Sequence, residues 1–225
     1  MSTATQIYEI VLMNLNSIPQ RLGASLVIVI GIAGVVGVLV AMLSMSTGLN
    51  KTLTATGDPN RAIILRGGSN GELASFLDRS SSTLIKQDPA IARHPDGLPF
   101  ASGELIVITE VPRKGQSSGA NVSLRGVEPK GFDIRPELKI LQGRKFKPGL
   151  RELMVGAGAY NQFDGLQVGS KLKFRGSYWD VVGVFETKDA HDSELWADLD
   201  TVQSAFGRTG MSSVVVRLNY SKAFD

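Results

Sequence analysis

The sequence predicts an α+β protein made of two unlike parts: one N-terminal transmembrane helix, followed by a domain built on a mixed, mostly antiparallel sheet with two subregions. Three observations carry this reading. No charged residue occurs between Arg21 and Lys51, a run of 29 positions in a chain of 225. From Asn60 onward, short segments rich in β-branched residues alternate with polar connections, the pattern of strands and turns. Helical periodicity in that region is confined to a few brief stretches. With 43% hydrophobic and 20% charged residues the chain can bury a core, which excludes a low-complexity polymer. Its mean hydropathy of +0.05 is raised by the uncharged run alone.

The first element is a leader at residues 1–20. Ile7, Ile10, Val11, Leu15 and Ile18 repeat at the spacing of one helical face, and Pro19 then breaks or restarts the helix. Such a helix suits the membrane interface, although with Glu9 and Arg21 as its charges it should bind anionic lipid weakly.

The second element covers residues 21–57. The apolar stretch from Leu22 to Ser46, 25 residues, makes about 38 Å of helix at 1.5 Å per residue, against roughly 30 Å of bilayer hydrocarbon. Leu49 and Leu53 continue the helical spacing, and Gly57 followed by Asp58-Pro59 supplies a stop, so the helix is expected to leave the membrane and run on as a stalk. A cleavable signal peptide is the competing reading, because small residues at Ser44 and Ser46 suit cleavage. The lengths argue against it: a signal peptide has an apolar region of roughly 7–15 residues behind a short basic leader. Ala33, Gly37 and Ala41 recur every four residues and define a small-residue face on which a second helix could pack.

The third element is the domain at 58–225. Subtracting Glu9 and Arg21 leaves 23 Lys+Arg and 20 Asp+Glu for the residues beyond 50, so the net charge of +3 belongs to this region. The two signs are interspersed, with no basic stripe interleaved with aromatics, which argues against nucleic acid as a partner. The chain has no cysteine, which excludes disulfides, thiolate zinc sites and thiol nucleophiles. Strands are expected at 61–66, 102–111, 120–127, 151–156, 171–176, 178–186 and 212–218. Helices are expected somewhere within 72–87, near 158–163 and at 198–206. The segment 111–121 reads as a hairpin tip and 93–99 as a loop.

Three motifs suggest chemistry. Gly67-Gly68-Ser69-Asn70-Gly71 fits G-x-S-x-G between a strand and a helix, with His191 and Asp189 or Asp180 as partners for Ser69. Only one strand precedes it and no oxyanion-hole motif is visible, so an exposed turn is the better reading. Gly156-Ala157-Gly158 begins a dinucleotide fingerprint, but the third small position is Asn161. Asp189, His191, Asp192 and Glu194 could ligate a divalent metal, although a solvated acidic loop explains them better. No G-x-x-x-x-G-K-[ST] pattern occurs. The expectation is a non-enzyme with no catalytic, cofactor-binding or metal residues.

The order of the parts resembles a known family. The leader and span look like the first transmembrane helix of MacB-type ABC transporter permeases, a group that includes the FtsX-like and lipoprotein-releasing permeases. The later segment resembles the hallmark of that family's periplasmic core domain: Leu141, Gly143, Arg144 and Phe146, then Val168-Gly169, then Val181-Val182-Gly183-Val184. In plain physical terms Gly143 and Gly169 suit turns with positive φ, Phe146 and Phe163 suit core anchors, and residues 178–185 suit a half-buried strand. The resemblance implies a permease subunit, or its N-terminal half, that transmits motion driven by a cytoplasmic ABC ATPase to a periplasmic domain. ATP would be bound by that separate subunit, with no cofactor in this chain. A second permease copy, in a homodimer or heterodimer, the lipid bilayer and a periplasmic adaptor are the implied partners.

Orientation separates the two lines of argument. Lys51, Arg61 and Arg66 outnumber Arg21, so a positive-inside count puts the large domain in the cytoplasm, but the rule weakens for long following regions. The resemblance implies the bacterial inner membrane, with the N-terminus cytoplasmic and the large domain periplasmic. Family permeases continue with three more spans where this sequence stops at 'NYSKAFD', so a truncated core domain or a genuine single-pass protein is expected. The alternative function is a membrane-anchored periplasmic binding or sensor module without transport.

Overall fold

The computed structural model describes residues 3–17, 22–55, 58–115 and 118–220. Ile18, Pro19 and Gly57, to which the sequence assigns a break and a stop, lie outside them, as does the centre of the 111–121 tip at Gln116 and Ser117. The chain divides into two compact units, residues 1–54 and 55–225.

The first unit holds helices α1 (Thr3–Ser17) and α2 (Leu22–Ala55). In α1 the side chains of Ile7, Ile10, Val11 and Leu15 are all exposed. Helix α2 has 34 residues, about 51 Å of axis, and its stretch Leu26–Gly48 is long and apolar enough to cross a membrane. Its side chains from Leu26 to Gly48 are exposed, as a helix with lipid for a solvent requires.

The second unit is one nine-stranded sheet. Its strands are β1 (Arg61–Ile64), β2 (Ala101–Pro112), β3 (Gly119–Val127), β4 (Lys139–Gly143), β5 (Glu152–Gly156), β6 (Lys171–Phe174), β7 (Ser177–Glu186), β8 (Leu195–Asp198) and β9 (Ser213–Arg217). They lie in the order β1-β9-β2-β3-β8-β5-β7-β4, and β6 also pairs with β7. Among the described residues β3/β8 and β5/β7 are parallel and the other strand pairs are antiparallel. Because Asp180 faces both Lys171 and Glu152, and Gly183 faces both Gly143 and Met154, β6 and β4 share one edge of β7 while β5 takes the other.

Three short helices complete the unit: α3 (Arg79–Lys86), α4 (Ala157–Gln162) and α5 (Leu199–Phe206). The Asp78 carboxylate caps α3 by accepting from the Ser81 amide, and Asp198 caps α5 by accepting from the Thr201 amide. Gly207, at φ 62°, ends α5 in the left-handed conformation.

Two-residue alternation gives the sheet two unlike faces. Leu105 and Val107 of β2, Val122 and Leu124 of β3, and Leu153 and Val155 of β5 belong to the main core, with Ala159 of α4 and Leu199 and Val202 of α5. The opposite face carries Val127, Met154, Phe185 and Trp196, joined by Phe132 and Phe146. A third cluster at the β1/β9 end contains Ala101, Val214 and Val216 with Leu77 and Ile91.

The structure departs from the sequence reading at two strands and decides between two options at one helix. Strand β8 sits at the centre of the sheet, yet at four residues with every position buried it shows no alternation to recognise. Strand β4 is an edge strand whose residues are largely exposed, where the sequence reads as the approach to a turn. Of the two helical options within 72–87, the second forms α3, while the first is a single 3-10 turn at Glu72–Ala74.

Candidate functional site

The second sheet face carries a buried ionic hub. Alternation along β2 places Glu104 on the face opposite Leu105, and the parallel register sets Arg125 of β3 beside Trp196 of β8. Glu104 is fully buried, Arg125 is 3% exposed and Arg135 is 2% exposed. Charges so deep persist only when paired and hydrogen-bonded.

Arg125 commits all five of its N–H donors. Its Nε and Nη2 donate to Glu194 at 2.7 and 2.9 Å. Its Nη1 and Nη2 donate to Glu72 at 2.9 and 3.0 Å, and Nη1 also donates to Glu104 at 2.8 Å. Arg135 forks onto Glu104, Nη1 at 2.7 Å and Nη2 at 2.9 Å, and its guanidinium lies 5.0 Å from the centre of the Trp196 ring. The Trp196 indole N–H donates to Glu194 at 2.9 Å, and the Ser213 hydroxyl donates to Glu72 at 2.6 Å. Two guanidinium groups thus face three carboxylates drawn from five separate parts of the chain.

This pairing fixes the charge states. Burial opposes ionisation of Glu104, but the charges of Arg135 and Arg125 and the hydrogen bond from Arg135 overcome it and hold the carboxyl at about 2. Burial likewise opposes the charge on Arg125, and the hydrogen bonds and charges of its carboxylates outweigh it, so its affinity for the proton rises.

Above the hub is a cavity of about 500 Å³. Ile63, Leu73, Ile106 and Val215 give it an apolar wall, and Arg61, Glu72, Arg125, Arg135, His191 and Glu194 are among its polar lining. A concave, mostly apolar site with a few fixed polar groups is the usual form of a small-molecule site. The hub is not marked in the sequence: Glu104 in 'SGELIVITEV' shares its strand with the exposed Glu110, and nothing local separates the buried charge from the exposed one.

The other sequence-nominated residues are spread over the domain. Ser69 lies in the turn after β1, where its hydroxyl donates to the Ala74 carbonyl at 3.5 Å, while the His191 Nδ1 lies 2.8 Å from Asp189 Oδ1. Burial pushes the Asp189 carboxyl up, but hydrogen bonds from His191 and Thr187 and the His191 charge hold it well below the usual range. Asp192 accepts from the Thr187 and Lys188 amides and shares the Thr187 hydroxyl with Asp189, while Glu194 belongs to the hub. Among the described residues no group of His, Asp or Glu could hold a metal ion. Asp180 lies within 3.4 Å of Lys171. Gly156 and Gly158 leave room for the backbone of Asp192, which a Cβ at either position would meet.

The family-motif positions form a structural corner. Gly143 has φ 69° and Gly169 φ 92°, the left-handed region that favours glycine. A Cβ at Gly143 would fall on the Val182 carbonyl and one at Gly183 on the Arg144 carbonyl, so two backbones cross there without side chains between them. Arg144 forks onto Glu152 with two bonds of 2.7 Å; Phe146 is buried beside Phe132, and Leu141 is exposed on the edge strand. In the helical unit Ala33, Gly37 and Ala41 lie within α2 and are exposed.

Residues 24–223 match the family described as the MacB-like periplasmic core domain. Among solved structures, the fold is similar to the extracellular domain of the noncanonic ABC-type transporter YknZ from Gram-positive bacteria, with a TM-score of 0.52 at 14% identity over 72% of this chain and 86% of that one. It is also similar to the periplasmic region of MacB from Actinobacillus actinomycetemcomitans, with a TM-score of 0.50 at 18% identity over 71% of this chain and 74% of that one. At these identities the likeness is one of fold. No curated protein matches the chain.

Proposed function

Because the chain belongs to the MacB-like periplasmic core domain family, we propose that it works as a non-catalytic permease subunit, or the N-terminal half of one, in a MacB-type ABC exporter. In this reading a cytoplasmic ABC ATPase binds ATP, a second permease copy completes a homodimer or heterodimer, and α2 carries the motion across the bacterial inner membrane. The N-terminus lies in the cytoplasm and the sheet domain in the periplasm, where a periplasmic adaptor is a further partner.

The observation that carries this reading is the extent of the family match. It begins at residue 24, inside α2, and so takes in all but the first two residues of that helix together with the sheet domain. A helix of about 51 Å is longer than the bilayer core of roughly 30 Å needs, which leaves a segment beyond the membrane able to move with it.

The test is affinity purification of the full chain from its bacterial host with crosslinking. Recovery of an ABC ATPase, together with labelling of single cysteines in the sheet domain by a reagent that does not cross the inner membrane, is the expected result. Absence of any ATPase, or labelling only after the inner membrane is opened, overturns it. The cavity over the hub favours one other reading, a membrane-anchored binding or sensor module without transport; an ATPase recovered with the chain whose turnover the chain accelerates would exclude it.

A further inference from the structure

We propose that the cavity on the second sheet face is a binding site for an organic carboxylate with an apolar body, and that the chain's own Glu72 occupies its carboxylate position. The inference does not rest on the transport reading.

Glu72 differs from the other hub carboxylates in what carries it. Glu104 belongs to β2, and Glu194 directly precedes β8. Glu72 sits in a 3-10 turn with no buried residue, in a loop whose base is closed by the Arg66 amide donating to Ser75 Oγ at 3.0 Å. Within that loop Gly67, Gly68 and Gly71 have no atom near the position of a Cβ, and Leu73 is 65% exposed. Three glycines without packing make a strap that can swing at little steric cost. Its side-chain ties to the sheet are the fork from Arg125 and the bond from Ser213.

The exchange balances in charge. Replacing the Glu72 carboxylate by a ligand carboxylate leaves two guanidinium groups facing three carboxylates and returns the same acceptors to the Arg125 N–H donors. An amide or alcohol of the same shape would leave the fork without its anion, which is costly in a buried site. Arg135 also lines the cavity, at 2% exposure. Ile63 of β1, Ile106 of β2 and Val215 of β9, which stay when the strap moves, supply the surface for the ligand's apolar body, and the cavity of about 500 Å³ lies within the usual range for small-molecule sites.

The experiment uses the full chain in lipid nanodiscs, with hexanoate as the probe and hexanamide as its neutral counterpart. Isothermal titration compares the wild type with Glu72→Gln, which removes the internal competitor. A spin label on Leu73→Cys, a unique thiol in a chain without cysteine, reports the strap. Expected are hexanoate binding at least about tenfold tighter in Glu72→Gln than in the wild type, no binding of hexanamide, and a rise in label mobility on adding hexanoate to the otherwise wild-type chain. Equal hexanoate affinity in the two proteins, hexanamide binding as well as hexanoate, or binding that leaves the label unchanged overturns the proposal. The label arm needs no change at Glu72, so a folding defect in that variant does not shield the idea from refutation.

Discussion

Glu104→Gln is the sharpest perturbation of the hub. Glu104 accepts three charge-assisted bonds, one from Arg125 and two from Arg135. Glutamine keeps one acceptor oxygen and turns an NH2 group toward guanidinium donors. Arg125 would retain Glu72 and Glu194, but Arg135 would lose the carboxylate it forks onto. Removing one partner of a buried pair costs about 3–5 kcal/mol, a large share of the roughly 5–15 kcal/mol that holds a domain folded.

Proton linkage gives an independent figure. The Glu104 carboxyl falls from an ordinary 4.5 to about 2, which corresponds to about 3 kcal/mol. Since the folded value is the lower one, this stability is fully present above pH 4.5 and is lost as the pH falls from there toward 2. Urea unfolding of the full chain in nanodiscs, followed by tryptophan emission, checks both numbers. At pH 7 the variant should lose about 3–5 kcal/mol, and it should lack the part of the wild type's acid sensitivity that Glu104 supplies. A paired replacement, Glu104→Leu with Arg135→Met, should cost less than Glu104→Gln alone, because no buried charge is stranded. A loss below about 1 kcal/mol in Glu104→Gln, or a paired replacement worse than the single one, would refute the reasoning.

Three further outcomes follow from the packing. Gly143→Ala forces a side chain at φ 69° onto the Val182 carbonyl, and chemical denaturation should show a loss of about 1–3 kcal/mol. Asp198→Ala removes the acceptor that holds the Thr201 amide and hydroxyl and the Gly149 amide, so the domain should lose about 1–2 kcal/mol, with Asp198→Asn milder. If the small-residue face of α2 packs against a second helix, Gly37→Leu should lower energy transfer between labelled copies in nanodiscs and leave unfolding of the sheet domain unchanged; unaltered transfer argues that this face meets lipid.

Much of this protein is written in one-dimensional pattern. The uncharged run sets α2, because a bilayer tests length and apolarity, both local properties. β-branched alternation and turn residues mark seven of the nine strands, and Asp78, Asp198 and Gly207 punctuate helices by chemistry confined to a turn. The positive φ at Gly143 and Gly169 was legible for the same reason. What the sequence left open depends on distant partners. Strand β8 is a strand because β3 and β5 flank it, a pairing that four apolar residues cannot announce. The hub gathers Glu72, Glu104, Arg125, Arg135 and Glu194 across 122 positions, and each reads alone as an ordinary surface charge. Local propensity decided which segments extend or coil; the tertiary structure decided which charges are buried, since only the strand order brings those five side chains onto one face of the sheet.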